Sequence, residues 1–334
     1  MKQRGVALVL VLWILSILIL MAGSFSVTMR RESAGVTGIR AHAQALAQAQ
    51  AGIAIAQAML LHEDENKRWR IDGSVYEIRY PHSTMRIQIQ SQTGKIDINS
   101  ASITLLHHVL QYAPLDKQAQ LNLENAILDW RDADDITRPF GAEKEEYHHA
   151  KLHYAPRNKP FRSMEELQMV RGMNSDVLNW MQPLFTVYAA GQTEVEYAVA
   201  SHDVLRVLPE IDVSLLDAYF LAREKSVLLH TPMPAVPRIE NATQAMVQDV
   251  QDTTEPPSMP EISVVNVVVE VQLDDQTNVQ IDAMMEKMDG ANNLPFQMLT
   301  WNSQADYTRV NSLFSRTMTP ILSLSELNQK NDTP

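Results

Sequence analysis

Between Asp129 and Glu143 the chain sets five carboxylates close together: Asp129, Asp132, Asp134, Asp135 and Glu143. Carboxylates drawn into one place repel unless a cation sits among them, and oxygen donors without His or Cys suit a hard ion such as Ca²⁺. Asp129 and Asp132 stand three apart, so at a helix end they share a face. Asp134 and Asp135 follow where Arg138, Pro139 and Gly141 force a loop, and Glu143 closes it. The spacing is not that of an EF-hand. Counted from Asp132, Glu143 falls at the closing position, but Ile136 and Thr137 stand where a ligand and a glycine belong. The competing reading is a solvated acidic loop neutralised by Arg131 and Arg138. Spacing alone supports the two equally.

Other chemistries have thinner support. His149 and His153 are four apart and would share a face on a helix, with His148 alongside, but the His-Glu-x-x-His order of a zinc protease is absent. Surface or packing histidines fit better. No Gly-x-Ser-x-Gly elbow, Walker A or dinucleotide glycine motif occurs, so no catalytic site and no enzyme is expected. An anchored hydrolase would need a pocket pairing a nucleophile with a base. The chain has no cysteine, which excludes disulfides and thiolate metal sites. Acidic residues outnumber basic ones by 40 to 28, for a net charge of −12. That balance opposes nucleic acid, whose phosphates demand cations. Leu167, Val170, Gly172 and Met173 nevertheless form an apolar–Gly–apolar hairpin of the helix–hairpin–helix kind, with only Arg171 beside the glycine. A compact packing module is the favoured reading, and a membrane-anchored DNA-uptake or DNA-binding module the alternative.

The elements that must position these residues begin with a cationic leader, residues 1–5, carrying Lys2 and Arg4. Residues 6–22 are almost wholly apolar and, as a helix of ~1.5 Å per residue, just span a hydrocarbon core. Cations on the N-terminal side place that end in the cytoplasm. An ordinary signal peptide is the plainer reading, with Ala22, Gly23 and Ser24 as a loose cleavage site. Against it, the helical pattern continues: Ile39, Leu46, Ile53 and Leu60 recur at seven-residue steps, with no proline before Pro81. One helix over 6–61 is expected, apolar at one end and amphipathic at the other.

Residues 75–80 and 85–90 alternate as a strand pair around Pro81 and His82, and residues 95–99 extend or follow the second strand. The period is helical from 101 to about 188, with a capping-box signature at Ser163 and Glu166. A proline-rich acidic stretch, 231–260, reads as a linker. Strand patterns return over 262–273, 279–285 and 294–301, with Asp274 and Asp275 in a turn. Strand signals at both ends and helices between them imply one sheet with an inserted helical block. A weak repeat supports the block: Lys95 to Ser102 is echoed by Thr193 to Ser201, each an extended segment before a helix.

The leader ending in Gly5, the apolar helix and its amphipathic continuation resemble the type IV pilins and pseudopilins. The resemblance implies that prepilin peptidase cuts after Gly5 and that Val6 becomes the N-methylated terminus. Most of that class carry Glu as the fifth mature residue, to neutralise a neighbour's terminal amine in the membrane. Here the position is Leu10. Its lack of a carboxylate resembles the K-type minor pseudopilins of type II secretion systems, proposed to sit at the pseudopilus tip. The run of Asp129, Trp130, Arg131, Asp132, Ala133, Asp134 and Asp135, then residues 138–143 and Tyr147, is similar to that family's most distinctive stretch. The likeness continues through residues 158–161 and Glu165 to Tyr188, and fades after Ala200.

What the resemblance implies is an α+β pseudopilin fold, a long N-terminal helix packed on an antiparallel sheet with a large inserted helical domain. The divisions expected are a leader at 1–5, the helix at 6–61, sheet at 62–100, insert at 101–230, linker at 231–260, further strands at 261–302 and a tail at 303–334. Calcium is implied in the insert, on Asp129, Asp132, Asp134, Asp135 and Glu143, with Glu146 or an acid of the second repeat as further candidates. The implied partners are the I-type and J-type minor pseudopilins, prepilin peptidase and other type II secretion components, and no nucleic acid. The implied place is a single pass through the bacterial inner membrane, bulk periplasmic. The implied task is to start pseudopilus assembly and support export of folded proteins across the outer membrane.

Overall fold

The computed structural model describes residues 6–65, 67–189, 191–229, 231–239, 261–288, 294–304 and 312–314. The expected leader lies outside these residues, as do most of the 231–260 stretch and of the tail.

Helix α1 covers Val6–Leu60, 55 residues, or about 80 Å at ~1.5 Å per residue. Among the described residues it is the one helix long and apolar enough to cross a membrane. From Leu8 through Arg40 it is exposed, and from Ala41 one face is buried. That face is Ala41, Ala45, Ala49, Ile53, Ala56 and Leu60, spaced three or four apart, the helical period. The seam therefore differs from the expected seven-residue series: Ile53 and Leu60 belong to it, Leu46 is half-buried, and Ile39 is 73% exposed. Small side chains win because α1 lies very close to the sheet. A Cβ added at Gly52 would stand 2.6 Å from Val269 Cγ1 and 2.9 Å from Met85 Sδ.

The sheet α1 rests on has five antiparallel strands: β1 (Asp72–Tyr80), β2 (Ser83–Ser91), β5 (Val264–Leu273), β6 (Asn278–Lys287) and β7 (Phe296–Gln304), in that spatial order. Alternation sorts its faces. Met85, Ile87 and Ile89 on β2 join Val267, Val269 and Val271 on β5 and Ile281 and Ala283 on β6 under α1, all buried. The two halves of the sheet, separated by some 170 residues of chain between Ser91 and Val264, thus close on one core.

Between β2 and β5 lies a helical lobe with its own core. Its helices are α2 (Ile103–Leu110), α3 (Lys117–Arg131), α4 (Lys144–His149), α5 (Ser175–Met181), α6 (His202–Val207) and α7 (Leu216–Leu228). Residues 95–99 do not extend β2. The Ser91 side chain accepts the Thr93 N–H and opens a 3₁₀ turn over Gln92–Gly94, and the chain then forms β3 (Ile96–Asp97). This strand pairs in parallel with β4 (Phe185–Thr186), a strand inside the stretch read as helical. The repeat is realised as two N-caps: Ser102 Oγ accepts the Leu105 N–H at 3.1 Å and Ser201 Oγ the Val204 N–H at 3.3 Å. The capping box at Ser163 does not form. A 3₁₀ turn covers Met164–Met169 instead, and Glu166 is drawn inward to Trp130 Nε1 at 3.3 Å and Arg157 Nη1 at 2.6 Å.

Lobe and sheet are joined by polar contacts. The buried Arg223 of α7 donates to the carbonyls of Ala200 and Asp72 and lies 3.4 Å from Asp72 Oδ2. Arg70 Nη1 donates to Ser226 Oγ at 2.7 Å, and Gln90 Nε2 to the Val199 carbonyl at 2.6 Å.

Candidate functional site

The five carboxylates occupy the exit of α3, the loop after it and the start of α4. Asp129, in the last turn of α3, is fully buried. Its Oδ2 accepts the N–H groups of Ala142 at 2.9 Å and Arg138 at 3.3 Å. Its Oδ1 faces Arg138 Nε at 3.3 Å, an ion pair without hydrogen-bond geometry. Arg138 Nη2 donates to Asp132 Oδ2 at 2.9 Å, so one guanidinium bridges both acids. Arg131, the other cation expected to neutralise the loop, turns away and donates to the carbonyls of Ile98 and Ala101.

The outer acids do different work. Asp134 Oδ1 accepts the Ile136 N–H at 2.9 Å, and Asp135 Oδ1 accepts Asn158 Nδ2 at 2.8 Å. Both side chains are exposed. Glu146 serves the start of α4, where its Oε2 accepts the Glu143 N–H at 2.9 Å and Thr137 Oγ1 at 3.2 Å. From the second repeat, Glu196 is engaged by Thr93 Oγ1 at 2.8 Å.

Glu143 is the residue under strain. It is 3% exposed, and its carboxylate faces the Glu146 N–H in the capping box of α4 without a close hydrogen bond to either oxygen. Burial first, then the charges of Asp129, Asp132, Asp135 and Asp134, push its pKa up to about 7. Burial also raises Asp129, although two backbone N–H bonds oppose the shift. Asp129 Oδ1 and Asp132 Oδ1 are likewise buried without a hydrogen-bond donor.

The cradle is made of backbone. A Cβ at Gly141 would stand 2.0 Å from Asp129 Oδ2, so only glycine lets the carboxylate reach the Ala142 N–H. Phe140 before it takes φ 68°, a left-handed conformation uncommon in non-glycine residues. Under the loop, Trp130 stacks on Phe161 at 6.0 Å and meets Tyr147 at 5.9 Å. These buried rings fix α3, α4 and the 158–161 segment relative to one another.

Among the described residues no three His, Asp or Glu side chains stand together as a group that could hold a metal ion. The site is instead a set of acids whose buried oxygens, on Asp129, Asp132 and Glu143, lack close hydrogen-bond donors and are countered by Arg138. Those oxygens are of the kind a hard divalent cation takes, but in this arrangement the Arg138 guanidinium supplies the positive charge among them. The histidines do not compete for this role. His148 and His149 end α4 and Lys151 takes φ 58°, so His149 and His153 do not share a helical face. The hairpin glycine, Gly172, takes φ +90°, while the Arg171 N–H donates to the buried Tyr147 hydroxyl at 2.8 Å. An N–H that a phosphate would need is thus already used inside the lobe.

Sequence reasoning missed Asn158, whose Nδ2 also reaches the Asp134 carbonyl at 2.6 Å, and the bridging geometry of Arg138. Nothing local marks Asn158, which lies 23 residues beyond Asp135.

A membrane-length helix laid on an antiparallel sheet, with a helical lobe inserted after the second strand, is the arrangement expected of a pseudopilin fold. Residues 87–190 match the family described as Type II secretion system (T2SS), protein K. That stretch runs from the second strand of the sheet through most of the helical lobe. Among solved structures it is similar to a chain of the GspK-GspI-GspJ complex from the type 2 secretion system of enterotoxigenic Escherichia coli. That match has a TM-score of 0.52 at 15% identity, covering 80% of this chain and 98% of that one. At such identity the likeness is one of fold. Comparison with curated proteins finds no match.

Proposed function

We propose that this protein is a tip-located minor pseudopilin. It assembles with I-type and J-type minor pseudopilins to start the pseudopilus and so supports export of folded proteins across the outer membrane. The observation that carries this reading is the combination of the exposed apolar half of α1 with the protein K match over residues 87–190. α1 anchors the chain in the inner membrane, N-terminus cytoplasmic, after prepilin peptidase has cut behind Gly5 and Val6 has been methylated. Leu10, 57% exposed on the apolar half, carries no charge to meet a terminal amine below a neighbour, which suits a subunit with nothing above it.

The lobe binds calcium in this proposal, through Asp129, Asp132 and Glu143, with Asp134 and Asp135 at the rim. Bound calcium would supply positive charge to the buried oxygens that lack close hydrogen-bond donors. Co-purification of the full chain with I-type and J-type minor pseudopilins in detergent tests the assembly. A complex of the three is expected, and failure of the chain to associate with either would refute the tip reading.

A further inference from the structure

The face of the sheet turned away from α1 is polar, and together with α6, α7 and Lys95 it bounds a cleft of about 940 Å³. That is the upper end of the range for ligand sites, ~300–1,000 Å³. Two of its ion pairs are internal: Asp72 with Arg223 at 3.4 Å, and Asp217 with His202 at 3.3 Å. Setting these aside, Asp282 is held by the Asn266 side chain and the charge of Lys95, which leaves Asp203 and Glu224 as the cleft-lining acids with no cation beside them in the lining. Lys95 is itself committed, donating to the Gln182 carbonyl at 3.2 Å.

Hydrogen-bonding capacity is just as lopsided. Gln280, only 5% exposed, has an Oε1 with no donor among the described residues, and the same holds for Asn266 Oδ1 and Glu224 Oε1. Buried acceptors are nearly always paired in folded proteins. Three unpaired ones lining the cleft, two on the sheet and one on α7, with a surplus of carboxylates, call for a ligand that brings donors and positive charge. A bare metal ion does not answer, since no three acids among the described residues are grouped to hold one. A guanidinium with five N–H donors does, and flanking backbone N–H groups would serve the amide oxygens.

We propose that this cleft receives an extended, arginine-bearing segment of another polypeptide. It is distinct from the carboxylate cluster after α3 and independent of the metal reading. The chain has no cysteine, so a thiol introduced at Val268, in the cleft wall, is unique. The probe is an end-blocked Thr-Arg-Thr-Arg-Thr-Cys peptide, compared with its Thr-Glu-Thr-Glu-Thr-Cys counterpart, offered to the full chain in detergent under mild oxidation. The arginine peptide should couple to Val268→Cys at least tenfold faster than to Thr300→Cys, which sits exposed on β7 outside the cleft. Adding Glu224→Gln and Gln280→Leu should abolish the advantage while leaving the melting profile unchanged. Equal rates at the two positions, equal rates for the two peptides, or an advantage that survives the double substitution would overturn the proposal. So would an advantage that emerges only after residues 315–334 are removed, since the chain's own C-terminal residues would then be the occupant.

Discussion

Arg138 acts as the internal counter-charge of the acidic loop, and replacing it with Met should separate the metal-free lobe from the calcium-loaded one. At 3.3 Å from Asp129 Oδ1, its attraction is about 5 kcal/mol at an effective dielectric of about 20. The guanidinium is 37% exposed, so screening removes about half of this, leaving about 2–3 kcal/mol. Asp129 is fully buried and keeps only its backbone N–H bonds once Arg138 is gone, and an uncompensated buried charge is strongly destabilising. Hydrogen exchange across residues 128–147 reads this opening locally, without requiring the whole membrane protein to unfold in one step. With chelator, Arg138→Met should speed exchange by about 30- to 150-fold, since each 1.4 kcal/mol is tenfold. With calcium at a hundredfold excess over Kd, binding restores about 2.7 kcal/mol and should return exchange close to the parent rate. A loss of protection that is the same with calcium and with chelator would refute the reasoning.

The pH dependence has a definite sign. Glu143 holds its proton up to about pH 7 in the folded lobe but only to about 4.3 when unfolded. The folded state therefore binds more protons within that window, and stability of the chelated lobe should rise as pH falls from about 7 toward 4.3. Calcium affinity should fall over the same range, with a proton released on binding near pH 7, measurable by calorimetry in buffers of different ionisation enthalpy. Gly141→Ala drives a methyl against Asp129 Oδ2, at 2.0 Å before relaxation. It should cost about 1–3 kcal/mol and most of the calcium response, read by melting with calcium and with chelator. Gly52→Leu should lift α1 from Val269 and Met85 and accelerate exchange in β5 while leaving residues 128–147 unaffected.

The fold was legible wherever the periodicity was long. The strand pair around Pro81 and His82, the valine-rich β5 and the continuous helix from Val6 all follow from patterns of two and of 3.6. The seam of α1 was misread because periodic large residues attract attention, whereas close helix–sheet contact selects Ala and Gly. The failed cap at Ser163 has a similar cause. Glu166 satisfies the local motif on paper, but Trp130 and Arg157 arrive from distant parts of the chain and claim its carboxylate. At the acidic loop, composition announced the carboxylates and their need for a counter-charge. Which arginine would supply that charge depended on the φ of Phe140 and the space left by Gly141, and residue spacing does not encode either.

The central claim, that the chain is a processed pseudopilin, is tested most directly by mass spectrometry of the N-terminus purified from membranes of cells with an active prepilin peptidase. A chain beginning at N-methylated Val6 is expected, with the leader retained in Gly5→Arg. A chain beginning near Ser24, cut behind Ala22 and Gly23, would contradict it.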